Sequence, residues 1–298
     1  MALLEVKDLS FTYGEKTAFE KKAVRNISLS IEKGEFIGII GHTGSGKSTF
    51  IQMLNGLIKP SGGQVLLEGK DIWSEPKKIR NVRFKVGMVF QYPEYQLFEE
   101  TVEKDIAFGP QNMKLGAEEV AKRVKDAAAF VDLKPELLKK SPFELSGGEK
   151  RRAAIAGVIA MDPEILILDE PAAGLDPKGR DVLMTQIATY HKAKGNTVLL
   201  VSHSMEDISK VADKILVMNK GDMYAFDTPK AIFSKGEEIE KIGLQIPQIT
   251  KIMIGLAKSG FDVPTDIYSV EQAVMEIMKL RKSTSDILLK APEGGAGA

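Results

Sequence analysis

The sequence predicts an α/β fold built on a central, mainly parallel sheet. Three short apolar runs, EFIGII at 35–40, ILILDEP at 165–171 and TVLLVSH at 197–203, are typical of strands buried on both faces. Helical patterns separate these runs, and such alternation indicates a parallel sheet covered by helices. We expect three additions: an antiparallel β part at the N-terminus, an inserted helical subdomain and a small C-terminal helical extension.

The first 40 residues have the period-two pattern of strands, with Ile27, Leu29 and Ile31 alternating with polar residues. After a glycine-rich loop, STFIQMLNGLI at 48–58 predicts a helix. The chain is mainly helical from about 92 to 160, and one helix there has an apolar face of Val120, Val124, Ala127 and Val131. We place the first domain at residues 1–233, with the helical subdomain inside it.

Residues 234–290 predict a C-terminal helical domain. Gly260 ends one helix, and Ser269 with Gln272 forms the capping box of the next. The apolar positions of these two helices are Ile249, Ile252, Met253, Leu256, Ala273, Val274, Ile277 and Leu280. They are equally compatible with a lid over the domain's own core and with an oligomer contact. The tail at 291–298 has low complexity and is expected to be disordered.

Composition excludes several classes of protein. The chain has 41 Lys plus Arg and 41 Asp plus Glu, so its overall charge does not favour a nucleic-acid partner. It has no cysteine, which excludes disulfides, thiolate metal sites and a cysteine nucleophile and fits a reducing cytoplasm. No secretory segment and no apolar run of about 18–20 residues is present. We expect a soluble protein that can dock on a membrane protein.

GHTGSGKST at 41–49 has the G-x-x-x-x-G-K-[ST] pattern of a phosphate-binding loop, between a buried strand and a helix. Its backbone N–H groups and the start of the helix can bind phosphate oxygens. Lys47 can reach the β- and γ-phosphates, and the Ser48 hydroxyl can ligate Mg²⁺. The predicted nucleotide-binding residues are Gly41, His42, Thr43, Gly44, Ser45, Gly46, Lys47, Ser48 and Thr49.

Polar side chains end the other two buried runs. Asp169 is placed to hold the Mg²⁺ shell and Glu170 to polarise an attacking water, although two solvated turn acids would give the same letters. His203 lies where ligands of open α/β sheets bind, so it can contact the γ-phosphate and that water. A lone histidine is, however, more often structural.

The stretch VMNKGD contains N-K-x-D, the guanine-reading tetrad of GTP-binding switches. Asn, Gly and Asp are also turn residues, and a hairpin turn explains the same letters. We favour the turn, because the strand that ends in Asp169 and the LSGGEKRR stretch at 145–152 belong to a different design.

LSGGEKRR is a second serine–glycine–glycine turn that opens onto a helix. Ser146 and Glu149 predict a capping box. That box does not explain two glycines, which each cost roughly 0.5–1 kcal/mol in ordered structure. Bare N–H groups and a hydroxyl at a helix start suit a phosphate. Because the chain's own loop already binds one side of its nucleotide, Ser146, Gly147 and Gly148 are predicted to bind a nucleotide held by another subunit.

Together these motifs resemble the ATP-binding cassette family, a P-loop NTPase fold, over roughly residues 3–232. GHTGSGKST resembles its phosphate loop, LSGGE its signature motif, ILILDEP its second Walker motif and GLDP at 174–177 its D-loop. The resemblance implies that Asp176 of this D-loop binds nucleotide. The resemblance implies that Tyr13 stacks on adenine and that Gln91 contacts Mg²⁺ or the attacking water. It also implies ATP and Mg²⁺ between two cassettes, with catalytic roles for Lys47, Gln91, Glu170 and His203 and metal-binding roles for Ser48, Gln91 and Asp169.

Three longer stretches are similar to the ATPases of energy-coupling-factor transporters, which import vitamins and transition-metal ions in prokaryotes. They are QYPEYQLFEETVEKDIAFGP at 91–110, SPFELSGGEKRRAAIAG at 141–157 and the inserted KTAFEKK at 16–22. The similarity is to the second of two paralogous ATPases. It implies a cassette partner (a paralogue or a second copy), an integral transmembrane coupling protein and a small membrane substrate-binding protein, at the cytoplasmic face of the cell membrane.

The sequence thus predicts an ATP-hydrolysing subunit of an importer, with a docking surface near residues 91–98. Ala172 replaces a common threonine, and Glu149 with Lys150 replaces a glutamine-led pair, but neither position carries chemistry. Two alternatives stay open. One is the ATPase of an ordinary importer fed by an extracytoplasmic binding protein. The other is a soluble cassette ATPase, which the lack of a long coiled-coil insertion and of a second cassette disfavours.

Overall fold

The computed structural model describes the backbone of residues 2–289 and the side chains of residues 2–280. The chain divides into two compact units between Phe226 and Asp227. The sequence placed a boundary after residue 233, but the helix Pro229–Phe233 packs on the helix that follows it and so groups with the C-terminal unit. The low-complexity tail at 291–298 lies outside the described residues.

Ten strands form two sheets. In chain order they are β1 Leu4–Tyr13, β2 Lys21–Ile31, β3 Phe36–Ile40, β4 Gly62–Leu67, β5 Lys70–Asp71, β6 Val86–Val89, β7 Ile165–Asp169, β8 Thr197–Val201, β9 Lys214–Asn219 and β10 Asp222–Asp227. The first sheet has the order β2-β1-β4-β5, and its pairs are all antiparallel. The second has the order β10-β9-β3-β8-β7-β6. The predicted N-terminal antiparallel part is therefore confirmed.

Eleven α-helices accompany the sheets in the part of the chain that the structure describes. They are α1 Lys47–Leu54, α2 Ile79–Lys85, α3 Val102–Asn112, α4 Ala117–Phe130, α5 Gly147–Ile159, α6 Pro177–Lys194, α7 Met205–Val211, α8 Pro229–Phe233, α9 Gly236–Lys241, α10 Gln248–Lys258 and α11 Val270–Leu289. Helices α3, α4 and α5 pack on one another. The predicted apolar face of α4 is buried. None of the described helices is both long and apolar enough to cross a membrane.

The second sheet positions the site. β3 pairs in parallel with β8 and β9, and β7 pairs in parallel with β6 and β8. Every residue of β3, β7 and β8 is buried, as the three apolar runs predict. Because the carboxyl ends of parallel strands meet at one edge, the segments after β3, β6, β7 and β8 lie there together.

The helix predicted at 48–58 is too long by four residues, since α1 ends at Leu54. Gly56 has φ of 71°, a left-handed conformation that terminates helices. The N–H groups of Leu57 and Ile58 both donate to the carbonyl oxygen of Gln52, at 2.9 and 3.2 Å, which satisfies the last turn. The apolar residues Leu57 and Ile58, which follow Gly56, continue the helical sequence pattern although the helix has already ended.

The C-terminal unit has a small core of its own. Met253, Val263 and Ala273 are buried in it, and Ile249, Leu256 and Leu280 pack against them. Thr250 Oγ1 donates to the Ile267 carbonyl oxygen at 2.7 Å. The predicted apolar stripes are only partly buried, because Ile252, Val274 and Ile277 are 53%, 53% and 38% exposed. Only some of these positions therefore serve the unit's own core.

Candidate active site

The phosphate loop follows β3 and ends where α1 begins. Two of its glycines are required by the packing of the chain itself. A Cβ on Gly41 would lie 2.5 Å from Ser45 Oγ, and one on Gly46 would lie 2.2 Å from the Ala23 carbonyl oxygen. Gly46 also has φ of 101°. Ser45 Oγ is buried without a hydrogen-bond partner among the described residues, so the loop keeps unused bonding capacity beside its glycines.

Lys47 lies across this loop. Its Nζ donates to the carbonyl oxygens of Gly41 at 2.7 Å and His42 at 3.2 Å. Burial lowers the pKa of Lys47, while the carboxylates of Glu170 and Asp169 act in the opposite direction. The ammonium therefore has carbonyl partners that phosphate oxygens can replace, as the phosphate-loop prediction requires.

Asp169 and Ser48 form a pair of oxygen donors beside the loop. Asp169 is the last residue of β7 and is buried, with 6% of its surface exposed. Burial raises the pKa of Asp169, and a hydrogen bond from Ser48 and the charge of Lys47 partly offset that rise. A carboxylate beside a hydroxyl is the kind of donor set that Mg²⁺ prefers.

Glu170 is held by two other predicted residues. Gln91 Nε2 donates to Glu170 Oε2 at 3.0 Å, and His203 Nε2 lies 2.7 Å from Glu170 Oε1. The backbone N–H of Glu170 donates to the Val201 carbonyl oxygen at 3.0 Å, and its φ is 49°, which is unusual for a glutamate. A cavity of about 290 Å³ opens beside Glu170 and His203. Three chain segments thus meet at one carboxylate.

Tyr13 joins the first sheet to the phosphate loop. Its hydroxyl lies 3.1 Å from Thr49 Oγ1, so the aromatic side chain is fixed to the start of α1. Phe11 packs edge-on against it, with 4.8 Å between ring centroids. The Tyr13 side chain nevertheless remains 44% exposed, so ring surface is left for a stacking partner.

The signature turn differs from the phosphate loop in what its glycines touch. Ser146 and Glu149 form the predicted capping box, with the Ser146 N–H donating to Glu149 Oε2 at 2.8 Å. A Cβ on Gly147 would meet no atom of the described chain within 4 Å, and one on Gly148 would meet only Arg152 Nη1 at 3.8 Å. Neither glycine has a positive φ. This chain's own fold therefore requires glycine at neither position.

The remaining predicted positions take local roles. Asp176 caps α6 by accepting a hydrogen bond from the Gly179 N–H at 2.6 Å. Thr43 and Gly44 are exposed at the tip of the phosphate loop, and Gly44 has φ of 80°. The structure gives Asp176 a structural reason to be present and leaves its contact with nucleotide as a prediction.

The N-K-x-D tetrad lies on a hairpin turn, as the favoured interpretation predicts. Lys220 and Gly221 connect β9 to β10 with φ of 50° and 91°. Asn219 Oδ1 lies 3.0 Å from His42 Nε2 and so fixes a side chain of the phosphate loop. These contacts explain the tetrad without base recognition.

The sequence reasoning missed a buried ion pair behind the site. Arg151 of α5 lies 3.0 Å from Glu94 and is only 6% exposed. One signal was available, because Arg151 precedes buried Ile155 and Ile159 by four and eight residues and so lies on the apolar face of its helix. An arginine on such a face needs partners.

Comparison with known proteins identifies the family. The ABC transporter family model matches residues 24–173. The chain is 52% identical to a Clostridium tetani protein named energy-coupling factor transporter ATP-binding protein EcfA2, and the match covers 93% of this chain and 96% of that protein. It is 51% identical to the protein of the same name from Caldanaerobacter subterraneus subsp. tengcongensis, and that match covers 95% of this chain and 99% of that protein.

Solved structures agree. The structure of cbiO1 from Clostridium perfringens, part of the ABC transporter complex cbiONQ, is 38% identical with a TM-score of 0.72, and the match covers 85% of this chain and 98% of that one. A dimeric, post-hydrolysis state of the cassette MJ0796 bound to ADP and Pi is 27% identical with a TM-score of 0.68, over 76% of this chain and 98% of that one.

These relatives support the importer among the three functions that the sequence allowed. The family match and these relatives make the chain an ABC transporter ATPase, whose hydrolysis of ATP is coupled to transport. The chain belongs to the ATP-binding cassette family, within the EcfA2 group of energy-coupling-factor transporter ATPase subunits.

Proposed function

We propose that Glu170 polarises the water that attacks ATP, with Gln91 and His203 holding its carboxylate. The contact of Glu170 with both residues, at 3.0 and 2.7 Å, is the observation that carries the proposal. A carboxylate fixed at both oxygens loses little orientational freedom when a water binds to it. His203 is additionally placed to contact the γ-phosphate.

The phosphate loop residues 41–49 bind the phosphates, with Lys47 on the β- and γ-phosphates. Tyr13 stacks on adenine through its exposed ring surface. The unsatisfied Ser45 hydroxyl and the close-packed Gly41 and Gly46 fit a phosphate cradle. Ser48, Asp169 and Gln91 fit Mg²⁺ because they offer hydroxyl, carboxylate and amide oxygens. When bound there, the ion would neutralise charge on the β- and γ-phosphates.

Ser146, Gly147 and Gly148 bind the nucleotide of a second cassette, with Asp176 at the same interface. The open space around both glycines supports this assignment, because a Cβ on Gly147 would meet nothing within 4 Å and one on Gly148 would meet only Arg152 Nη1, at 3.8 Å. The second cassette is a paralogue, as in the two-ATPase transporters that the sequence resembles, or a second copy. Closure of the pair around two ATP molecules powers transport.

The transporter imports a vitamin or a transition-metal ion through an integral coupling protein and a small membrane substrate-binding protein, and this chain lies at the cytoplasmic face. A groove of about 320 Å³ supports a docking site near residues 91–98, since its lining includes Arg80, Arg83, Phe98 and Phe108. Phe98 and nearby Tyr95 are 61% and 84% exposed. We assign this groove to an amphipathic cytoplasmic helix of the coupling protein.

The first test is affinity capture of the full chain from native membranes, with identification of all captured proteins. A second cassette ATPase, an integral coupling protein and small hydrophobic subunits are the expected set. The substrates of those small subunits name the cargo. Recovery only as a homodimer without any membrane protein would contradict the assembly, and the ATPase chemistry would remain.

The docking groove has its own test. Phe98→Glu puts a charge into the apolar part of the groove, so we expect capture of the coupling protein to fall at least tenfold while ATP binding stays within about threefold. Phe19→Glu is the matched control, because Phe19 is 87% exposed in the loop between β1 and β2. Equal capture by Phe98→Glu and the unmodified chain would remove the groove from the interface.

A further inference from the structure

Arg151 joins three segments that meet behind the site. It lies in the second turn of α5, four residues after Gly147. Its Nε and Nη2 donate to the two carboxylate oxygens of Glu94, at 3.2 and 3.0 Å. Its Nη1 donates to the carbonyl oxygens of Pro171 at 3.2 Å and Ala173 at 2.7 Å. One guanidinium therefore holds the signature helix, the segment after Gln91 and the segment after Glu170.

Together with the bond between Gln91 and Glu170, these contacts form a closed loop of interactions, which we call the Arg151 network. Glu94 lies in the 3₁₀ turn Pro93–Gln96, three residues after Gln91. Pro171 directly follows Glu170, and Gln91 Nε2 donates to Glu170 Oε2 at 3.0 Å. A shift of α5 would therefore be transmitted through the guanidinium of Arg151 to two segments at once, the one that follows Gln91 and the one that follows Glu170.

Burial of its side chains makes the Arg151 network rigid. The side chains of Arg151 and Glu94 are 7% and 18% exposed, so water cannot replace a lost partner at low cost. A bidentate arginine–carboxylate pair also fixes orientation as well as distance. Glu170 itself has a positive φ, a conformation that persists only where the surroundings hold it.

We propose that Arg151 is a positioning residue for ATP hydrolysis, which holds Glu170 and Gln91 in a fixed relation to the signature turn. Ser146, Gly147 and Gly148 contact the partner's nucleotide, whereas Glu170 serves the nucleotide on this chain. Arg151 therefore links the two nucleotides of the cassette pair. This inference rests on the proposed roles of Glu170, Gln91 and the signature turn.

Arg123 offers a matched control. Its Nε lies 2.7 Å from Glu119, and its Nη1 donates to the carbonyl oxygens of Ala160 at 3.5 Å and Met161 at 3.0 Å. It therefore contacts the same kinds of partner, one carboxylate and two carbonyl oxygens, in the same helical part of the chain, although only its Nε binds the carboxylate and 24% of its side chain is exposed. None of these partners is a predicted site residue.

The experiment measures kcat, KM for ATP and thermal unfolding of the full chain purified with its partners. For Arg151→Met we expect kcat to fall about 10- to 100-fold with KM within about threefold, because a misplaced carboxylate slows chemistry more than binding. Arg151→Lys keeps the charge but cannot reach every partner, so it should fall between. Arg123→Met should keep kcat within about twofold. Equal kcat values for Arg151→Met and Arg123→Met would overturn the proposal.

A second background tests whether Arg151 acts through Glu170. In Glu170→Gln, adding Arg151→Met should lower the residual kcat by less than about threefold, since the group that it positions is already gone. A full additional loss would show that Arg151 acts independently and would refute the link. Full turnover of Glu170→Gln alone would instead refute the catalytic assignment of Glu170.

Discussion

At the scale of single residues, the proposed chemistry concentrates on the carboxylate of Glu170. Glu170 contacts Gln91 on one oxygen and His203 on the other, and its backbone is fixed by Val201. The orientation of the carboxylate is therefore held by other segments of the same chain.

Glu170→Gln should lower turnover by roughly 10²- to 10⁴-fold, the usual effect of removing a general acid–base residue. ATP binding should survive, because the loop at 41–49 and Tyr13 are unchanged. Steady-state hydrolysis and equilibrium binding of ATP, measured on the same preparation, separate the two effects. Unchanged hydrolysis would take Glu170 out of the mechanism.

How much of the site could be predicted depends on how local its signal is. The phosphate loop and the DE pair are contiguous in the sequence, and so Lys47, Asp169 and Glu170 could be located from it. The pairing of Arg151 with Glu94 could not, because 57 residues separate them and only the fold brings them together, even though the helical pattern marks Arg151 itself as a residue that needs partners. Likewise, the bond between Tyr13 and Thr49 joins two sequence-predicted positions by a contact that no pattern specifies.

At the scale of elements, the two glycine-rich turns have opposite physical requirements. The phosphate loop needs glycine because the chain itself fills the space around Gly41 and Gly46, whereas the space around Gly147 is open. Each turn lies at a helix N-terminus, but only the glycines of the phosphate loop are closely packed by other atoms of the same chain. The contrast gives a direct prediction.

Gly147→Ala should leave the unfolding free energy of the chain unchanged or raise it by up to about 1 kcal/mol, because alanine is the better helix residue. Hydrolysis by the assembled cassette pair should nevertheless fall at least tenfold. Gly46→Ala should instead destabilise the chain, since its Cβ would lie 2.2 Å from the Ala23 carbonyl oxygen. Urea unfolding and ATPase assays on both variants check this, and a destabilised Gly147→Ala chain would contradict the open-space argument.

The contact between α5 and the 3₁₀ turn at Pro93–Gln96 should depend on pH. Burial raises the pKa of Glu94, but hydrogen bonds from Arg151 and from its own backbone outweigh this, and the net pKa is below the ordinary 4.5. The stabilisation is therefore complete above about pH 4.5 and is lost as pH falls through the lowered pKa.

Glu94→Gln should accordingly be less stable than the unmodified chain at neutral pH, and the difference should shrink as pH falls below about 4.5. Urea midpoints measured from neutral pH downward give this difference directly. A difference that stayed constant with pH would mean that the Glu94 charge does not stabilise the fold.

At the scale of the whole molecule, each of the two units has its own hydrophobic core. The core of the first unit contains residues from β1 to β9, and the described core of the second is a small cluster around Met253. The parallel sheet was predictable because β3, β7 and β8 are continuous apolar runs. The end of α1 and the boundary between the units were less predictable. The left-handed conformation of Gly56 determines the first, and the packing of α8 on α9 determines the second.

A chain that ends at Phe226 should therefore fold and bind ATP with a Kd within about threefold of the full chain, because every predicted nucleotide-binding residue lies before that point. Circular dichroism and equilibrium ATP binding would check this. Loss of the cooperative unfolding transition would show that the first unit needs residues beyond 226.

The open space at Gly147 and Gly148 also bears on how a pair of duplicated genes diverges. A side chain at Gly41 or Gly46 would clash with the chain's own atoms and weaken the fold of the subunit, whereas a side chain at Gly147 would leave the fold intact and, on the proposed function, affect only the nucleotide of the second cassette. On the proposed function, selection on folding therefore protects the phosphate-loop half of each site and leaves the signature-turn half exposed to drift. Paralogous cassettes can on this account evolve into pairs with one working and one silent ATP site while both polypeptides remain fully folded.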